Sequence, residues 1–147
     1  MIKGIIFDFN RTIYDPCTDS LTEGCLKVLD ALGDKECRLC LLSVKTRPDR
    51  EEQIDRLRLK PYFKKILIIN EEEQKNEGHF QECLDAMSLT PQEVAVVGDR
   101  IEEEICVGKK MGLTTIWYNP SSKELPQNLP KPDHEIDKLE KVLDLVS

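Results

Sequence analysis

Several short apolar runs in this chain end on residues able to do chemistry. Ile5-Ile6-Phe7 runs into Asp8, Leu39–Leu42 into Ser43, Lys65–Ile69 into Asn70, and Val94–Val97 into Gly98-Asp99. A single Asp after a strand carries little information, because Asp is a good turn and capping residue. Two such carboxylates at neighbouring strand tips are another matter, since like charges repel unless a cation lies between them. A hard divalent ion with oxygen ligands, Mg²⁺ first, meets that demand.

These tips are neighbours only if the apolar runs are strands of one sheet. Between them the apolar residues take up helical spacing. Leu21, Cys25, Val28, Leu29 and Leu32 mark one face of a helix that the capping-box pattern Ser20-Leu21-Thr22-Glu23 would open and Gly33 would end. Further helices are predicted over about Asp49–Leu57, Glu77–Met87, Glu102–Met111 (closed by Gly112) and Asp137–Val146, with one short turn at Thr90–Glu93. Thr114–Tyr118 is a fifth strand, and Asn119–Pro132, with four prolines, a surface loop. Alternating strands and helices imply right-handed crossovers and an α/β fold: a doubly wound, mainly parallel sheet in three layers. Such sheets bind ligands beyond the carboxyl ends of their strands, where the candidate residues lie. With 147 residues and no internal repeat or long linker, one domain over residues 1–147 is expected.

Composition narrows the partners. A net charge of −7 speaks against a nucleic-acid surface, which needs clustered Lys and Arg. No apolar run approaches the roughly 20 residues of a membrane span. The first residues, MIKGIIFDF, reach charge too soon for a signal peptide, so a cytoplasmic protein is expected. Of six cysteines, Cys37 and Cys40 form a C-x-x-C, but no second ligand pair follows at zinc spacing. They read as reduced core or near-surface thiols.

Four motifs in order resemble those of the haloacid dehalogenase-like (HAD) superfamily of aspartate-nucleophile hydrolases, most of which are phosphatases. Ile5–Thr12 matches hhhhDxDxT except at Asn10; Ser43 follows the second strand; Lys75-Asn76-Glu77-Gly78-His79-Phe80 is similar to KPxxxxF with Asn76 for proline; Gly98-Asp99 through Glu104 is similar to GDxxxxD. Gly108, Met111-Gly112, Thr114–Trp117 and Pro132-Asp133 continue the likeness. The resemblance implies that Asp8 attacks phosphorus to form an aspartyl-phosphate. It implies Mg²⁺ held by Asp8, the Asn10 backbone carbonyl and Asp99, with Glu104 in support. Ser43 would donate a hydrogen bond to a phosphoryl oxygen, and Lys75, rather than Lys64 or Lys65, would supply fixed positive charge.

Asn10 departs from the pattern. Resembling phosphatases carry Asp there as general acid and base, and an amide cannot exchange a proton at ordinary pH. Weak hydrolysis of alkyl phosphates is therefore expected, with acyl and aryl phosphates suffering less. A catalytically silent relative, serving as a binding or scaffold protein, is the alternative reading. Thr12 to Ser43 and Ser43 to Lys75 each leave only about 30 residues, enough for ordinary crossovers and no inserted cap domain. Without a lid, a phosphorylated macromolecule or a homo-oligomer is expected to exclude water. Arg11 would face the entrance and contact an anionic substrate. Glu71–Glu73 reads as a solvated loop, His79 as structural and Trp117 as core.

Overall fold

The computed structural model describes residues 1–45 and 48–146. Its strands and helices alternate along the chain: β1 (Gly4–Asp8), β2 (Tyr14–Asp15), β3 (Ser20–Leu21), α1 (Cys25–Asp34), β4 (Arg38–Lys45), α2 (Arg50–Arg56), β5 (Lys65–Asn70), α3 (Glu77–Met87), β6 (Val94–Gly98), α4 (Cys106–Met111), β7 (Thr114–Tyr118) and β8 (His134–Ile136). The main sheet has six strands in the order β5-β4-β1-β6-β7-β8, every pair parallel. The reversal of strand order beside β1 puts Asp8 at the switch point of the doubly wound sheet, where ligands gather.

Central strands covered on both faces need apolar residues on both, so they read as continuous apolar runs. Ile5 and Phe7 of β1 pack with α1, Ile54 of α2 and the closing segment Leu139–Leu145. Ile6, from the other face, packs with Cys40, Leu42 and the α3 residues Phe80, Leu84 and Met87. The result is three layers. Among the described residues, neither the β1–β4 nor the β4–β5 connection holds a further folded unit. The first contains the β2–β3 hairpin and α1, the second α2 and a 3-10 turn at Lys60–Tyr62.

Four elements depart from sequence expectation. Ser20 and Leu21 do not cap a helix; they pair antiparallel with Asp15 and Tyr14. The Phe9 and Tyr14 rings stack 5.1 Å apart, and Thr22 N–H donates to Ile13 O at 2.8 Å, so tertiary pairing wins over the local capping pattern. Helix α1 starts instead after Gly24, whose φ of 79° suits glycine. The stretch expected as one helix over Glu102–Met111 begins as a π-turn at Ile101–Ile105 and becomes α only at Cys106. No strand is expected between the loop ending at Pro132 and the helix from Asp137, yet β8 adds a sixth strand there, pairing Ile136 with Tyr118. The closing segment is 3-10 over Leu139–Leu145 rather than α. Its apolar residues at 139, 142 and 145 recur every third position, the eclipsed row a 3-10 helix presents.

All six cysteines are free. Burial pushes the Cys25 thiol up to about 12 and the Cys37 thiol up to about 11, which keeps both protonated and unreactive.

Candidate active site

Asp8 closes β1, and Asp99 follows Gly98 at the end of the adjacent β6. Between them reaches Lys75, just ahead of α3. Its Nζ lies 2.6 Å from Asp8 Oδ1 and 2.6 Å from Glu104 Oε1. Lys64 and Lys65 stand at the opposite, amino end of β5, where Lys65 pairs with Glu82 at 3.6 Å, so Lys75 alone of the three enters the cluster. Ligand oxygens of Asp8, Asp99 and Glu104 all lie within 4.8 Å of one another.

One ammonium stands among three carboxylates, which if all ionised would leave two negative charges uncompensated in a largely buried place. Glu104 is 1% exposed, Lys75 4% and Asp8 7%. Burial opposes the charge on Lys75, but Asp8 and Glu104 outweigh it and raise its pKa. Burial, reinforced by Asp8, pushes the Asp99 carboxyl up to about 7. Burial likewise lifts Glu104 to about 8 against the pull of Lys75. Protons are thus drawn to a cluster that lacks positive charge, and a divalent cation with oxygen ligands would supply it. An all-oxygen donor set of this charge fits Mg²⁺ rather than a softer metal.

Local structure explains how each group is held. Thr12, wholly buried, donates from Oγ1 to Asp8 Oδ2 at 3.3 Å. Trp117 on β7 donates its indole N–H to the Asp99 carbonyl at 3.1 Å. The π-turn carries Glu104 inward, and its Oε2 accepts from the Arg100 backbone N–H at 3.3 Å. Gly98 makes room for it: a Cβ there would sit 2.7 Å from Glu104 Cγ. Asn76, where resembling proteins have proline, caps α3. Its side chain accepts from His79 N–H, while His79 Nδ1 accepts from the Asn76 N–H, both at 3.2 Å. His79 is therefore structural, and the reciprocal cap fixes the backbone beside Lys75.

A cavity of about 360 Å³ opens over this cluster, bordered by Asp8, Asn10, Arg11, Val44, Lys75 and Asp99, with Glu71, Glu73 and Glu103 on its rim. Asn10 borders it as expected, and its backbone bridges to Tyr14. Ser43 is placed differently from expectation. It lies inside β4 rather than beyond its end, is 1% exposed, and directs Oγ to the Val44 carbonyl at 3.4 Å. Of β4, Val44 borders the cavity. Asn70 ends β5 exposed, its carbonyl accepting from Glu73 N–H at 2.9 Å. Glu73 in turn contacts His79 Nε2 at 3.0 Å. Of the two acids next to one another, Glu104 joins the cluster and Glu103 stays on the rim, 3.9 Å from Arg100. Thr12 and Trp117 are the supports that sequence reasoning gave no role. Thr12 had a signal in the first motif; Trp117 had none.

The parallel α/β sheet carries a cluster of acids at its switch point with a lysine between them, the place where sheets of this kind bind ligands. The chain belongs to the haloacid dehalogenase-like hydrolase family, whose sequence model matches residues 17–118; the segment of Asp8 precedes that match. It is similar to N-acylneuraminate-9-phosphatase of Mus musculus, 32% identical over 105 residues, which are 69% of this chain and 42% of that protein. It is also similar to glyceraldehyde 3-phosphate phosphatase of Pyrococcus abyssi, 31% identical over 97 residues, 65% of this chain and 41% of that protein. The chain thus spans less than half the length of these relatives. Among solved structures, the HAD-hydrolase YfnB of Bacillus subtilis, bound to magnesium, superposes with a TM-score of 0.85 at 14% identity over 99% of both chains. L-2-haloacid dehalogenase of Xanthobacter autotrophicus gives 0.81 at 11% over 99% of this chain and 98% of that one. These structural likenesses establish the fold.

Proposed function

We propose that residues 1–147 form one HAD core domain that acts as a Mg²⁺-dependent phosphohydrolase, weakened by Asn10. The observation that carries this is the cluster at the sheet's edge: Lys75 Nζ between Asp8 Oδ1 and Glu104 Oε1, with Asp99 in reach of the same point. Asp8 and Asp99 would hold Mg²⁺ with the Asn10 backbone carbonyl, and Glu104 would support it. When bound, the ion neutralises phosphoryl oxygens so that an anionic nucleophile can approach an anionic substrate.

The chain's own groups do the rest. Asp8, oriented by Thr12 and Lys75, forms a bond from its carboxylate oxygen to phosphorus as the ester P–O bond breaks. Lys75 balances charge that builds on Asp8 and the phosphoryl group. Ser43 donates its hydroxyl to a phosphoryl oxygen once its side chain turns from the Val44 carbonyl. The leaving oxygen needs a proton that the Asn10 amide does not provide, so good leaving groups are favoured. Water then attacks the aspartyl-phosphate, again with no carboxylate at position 10 to take its proton, and release is slow.

The substrate is a phosphorylated compound. The names of the curated relatives favour a small one; an open mouth without a cap also suits a phosphorylated macromolecule or closure by a second copy. Free thiols fit a cytoplasmic setting, and no described helix is long and apolar enough to cross a membrane. Asn10 favours a second reading, a silent relative that binds without turnover. Hydrolysis of acetyl phosphate by metal-stripped protein before and after Mg²⁺ is restored separates the two, with D8N as control. Mg²⁺-dependent turnover that D8N abolishes is expected. If wild type neither turns over nor binds beryllium fluoride with Mg²⁺, the phosphohydrolase reading fails.

A further inference from the structure

We infer that Arg11 and Arg100 make a recognition site for a carboxylate on the substrate's leaving group, so that the preferred phosphoester is a small one carrying a second negative charge. This rests on the phosphohydrolase reading and adds the substrate class to it.

The starting observation is backbone strain. Arg11 has φ 63°, the left-handed region that a residue with a Cβ rarely adopts. Its N–H donates to the Tyr14 carbonyl at 2.7 Å, which locks the turn. A residue at that position is held in place whatever its side chain, and this chain places a guanidinium there. Arg11 is exposed, and among the described residues its side chain has no hydrogen-bond or ion-pair partner. Arg11 borders the cavity over Asp8.

A second cleft, of about 450 Å³, leads away from that cavity and shares Arg11, Asp99 and Arg100 with it. Trp117 and Lys123 also line it. Arg100 is 60% exposed and its ion contact to Glu103 is a long 3.9 Å, so its charge remains available. Lys123 sits on a turn pinned by the buried Asn119, whose Oδ1 accepts from Lys123 N–H at 3.0 Å and whose Nδ2 donates to the Lys123 carbonyl at 2.9 Å. The organic part of an ester whose phosphate sat at Asp8 and Lys75 would enter this cleft beside Arg11 and Arg100, with Lys123 also on its wall.

Three cations on this cleft, Arg11, Arg100 and Lys123, stand among three carboxylates, Asp99, Glu102 and Glu124. Glu102 and Glu124 stand on the same cleft and would repel a polyanion. One small, planar anion matched to guanidinium geometry fits better, and a carboxylate has that shape.

The test compares 4-carboxyphenyl phosphate with 4-carboxamidophenyl phosphate, near-isosteres whose aryl leaving groups spare the enzyme a general acid. With Mg²⁺, wild type is expected to favour the carboxylate in kcat/KM by about tenfold, mainly through KM, and less so at high salt. R11G and R100Q are expected to bring that ratio close to one. Glycine takes φ 63° without strain, so R11G melts no lower than wild type and its loss of preference does not come from misfolding. Equilibrium binding of both esters to D8N, which lacks the nucleophile, gives the same comparison without turnover. A carboxylate preference in D8N binding without wild-type turnover overturns the phosphohydrolase reading and leaves the recognition site standing. Equal binding and equal kcat/KM for the two esters, or a preference that survives R11G and R100Q, overturns the recognition site.

Discussion

Asn10 decides how much chemistry the cluster can deliver. Under the proposed mechanism Asp8, Lys75 and Asp99 hold and polarise the phosphoryl group, and Asn10, which borders the same cavity, is an amide where a proton would have to pass to the leaving oxygen. Restoring the carboxyl is therefore a direct test of the proposed mechanism. General acid–base catalysis is typically worth about 10²–10⁴ in rate. N10D is expected to raise kcat on an alkyl phosphate such as glycerol 3-phosphate by at least roughly 100-fold, while acetyl phosphate, whose leaving group needs no proton, gains far less. Steady-state release of inorganic phosphate from both substrates with Mg²⁺ checks this. An equal gain on the two would show that position 10 acts through charge or packing instead of proton transfer.

At the scale of elements, the site depends on how loops are tied to strand ends. Asp133, ahead of β8, accepts at Oδ2 from the Thr115 N–H at 2.8 Å and hydroxyl at 3.0 Å, and at Oδ1 from Lys109 Nζ at 2.8 Å. It thereby clamps the long loop to β7, the strand that carries Trp117 under Asp99. Partial burial raises its pKa, but Lys109 and Thr115 outweigh that and hold the carboxyl below its ordinary value. A depressed pKa means a contribution that is complete above the unfolded value, near 3.9, and is lost as pH falls through the folded one. D133N is expected to cost about 1 kcal/mol near neutral pH, a figure kept low because the side chain is 40% exposed. The gap between the two melting curves should narrow on acidification below about pH 4. The same clamp shows where sequence reading stops. β1, β6, β7 and α3 are legible because their apolar runs, and in α3 the spacing of Phe80, Leu84 and Met87, agree with their burial. β8 is not, since His134 and Glu135 are exposed and only Ile136 is buried; its pairing with β7 exists only in three dimensions. The Ser20–Glu23 capping pattern misled because a hairpin partner, invisible locally, claimed the first two of its residues. At the site, Asp8, Lys75, Asp99 and Glu104 could be found from motif order, but Trp117 supports Asp99 through a backbone carbonyl that any residue at 99 would offer.

For the whole molecule, the charge left over at the centre of the sheet is a matter of stability as well as catalysis. A fold that gathers three carboxylates around one lysine holds electrostatic repulsion in its native state, and an ion that binds only that state relieves it. Ligand linkage then stabilises the fold by about 2.7 kcal/mol at a concentration 100-fold above Kd. For a chain near 150 residues each kcal/mol moves Tm by about 2–4 °C, so saturating Mg²⁺ is expected to raise Tm by roughly 5–10 °C. Chelation should reverse the shift, and D99N should abolish most of it. Differential scanning fluorimetry across a Mg²⁺ titration, with Ca²⁺ and Zn²⁺ in parallel, reads both affinity and selectivity. The comparison with D99N matters because weak binding at the −7 surface would also raise Tm slightly, and only a shift that requires Asp99 reports the cluster at the strand tips. A flat Tm through millimolar Mg²⁺ in wild type would mean that the cluster balances its charge with bound protons, and that the metal-dependent mechanism has no place to act.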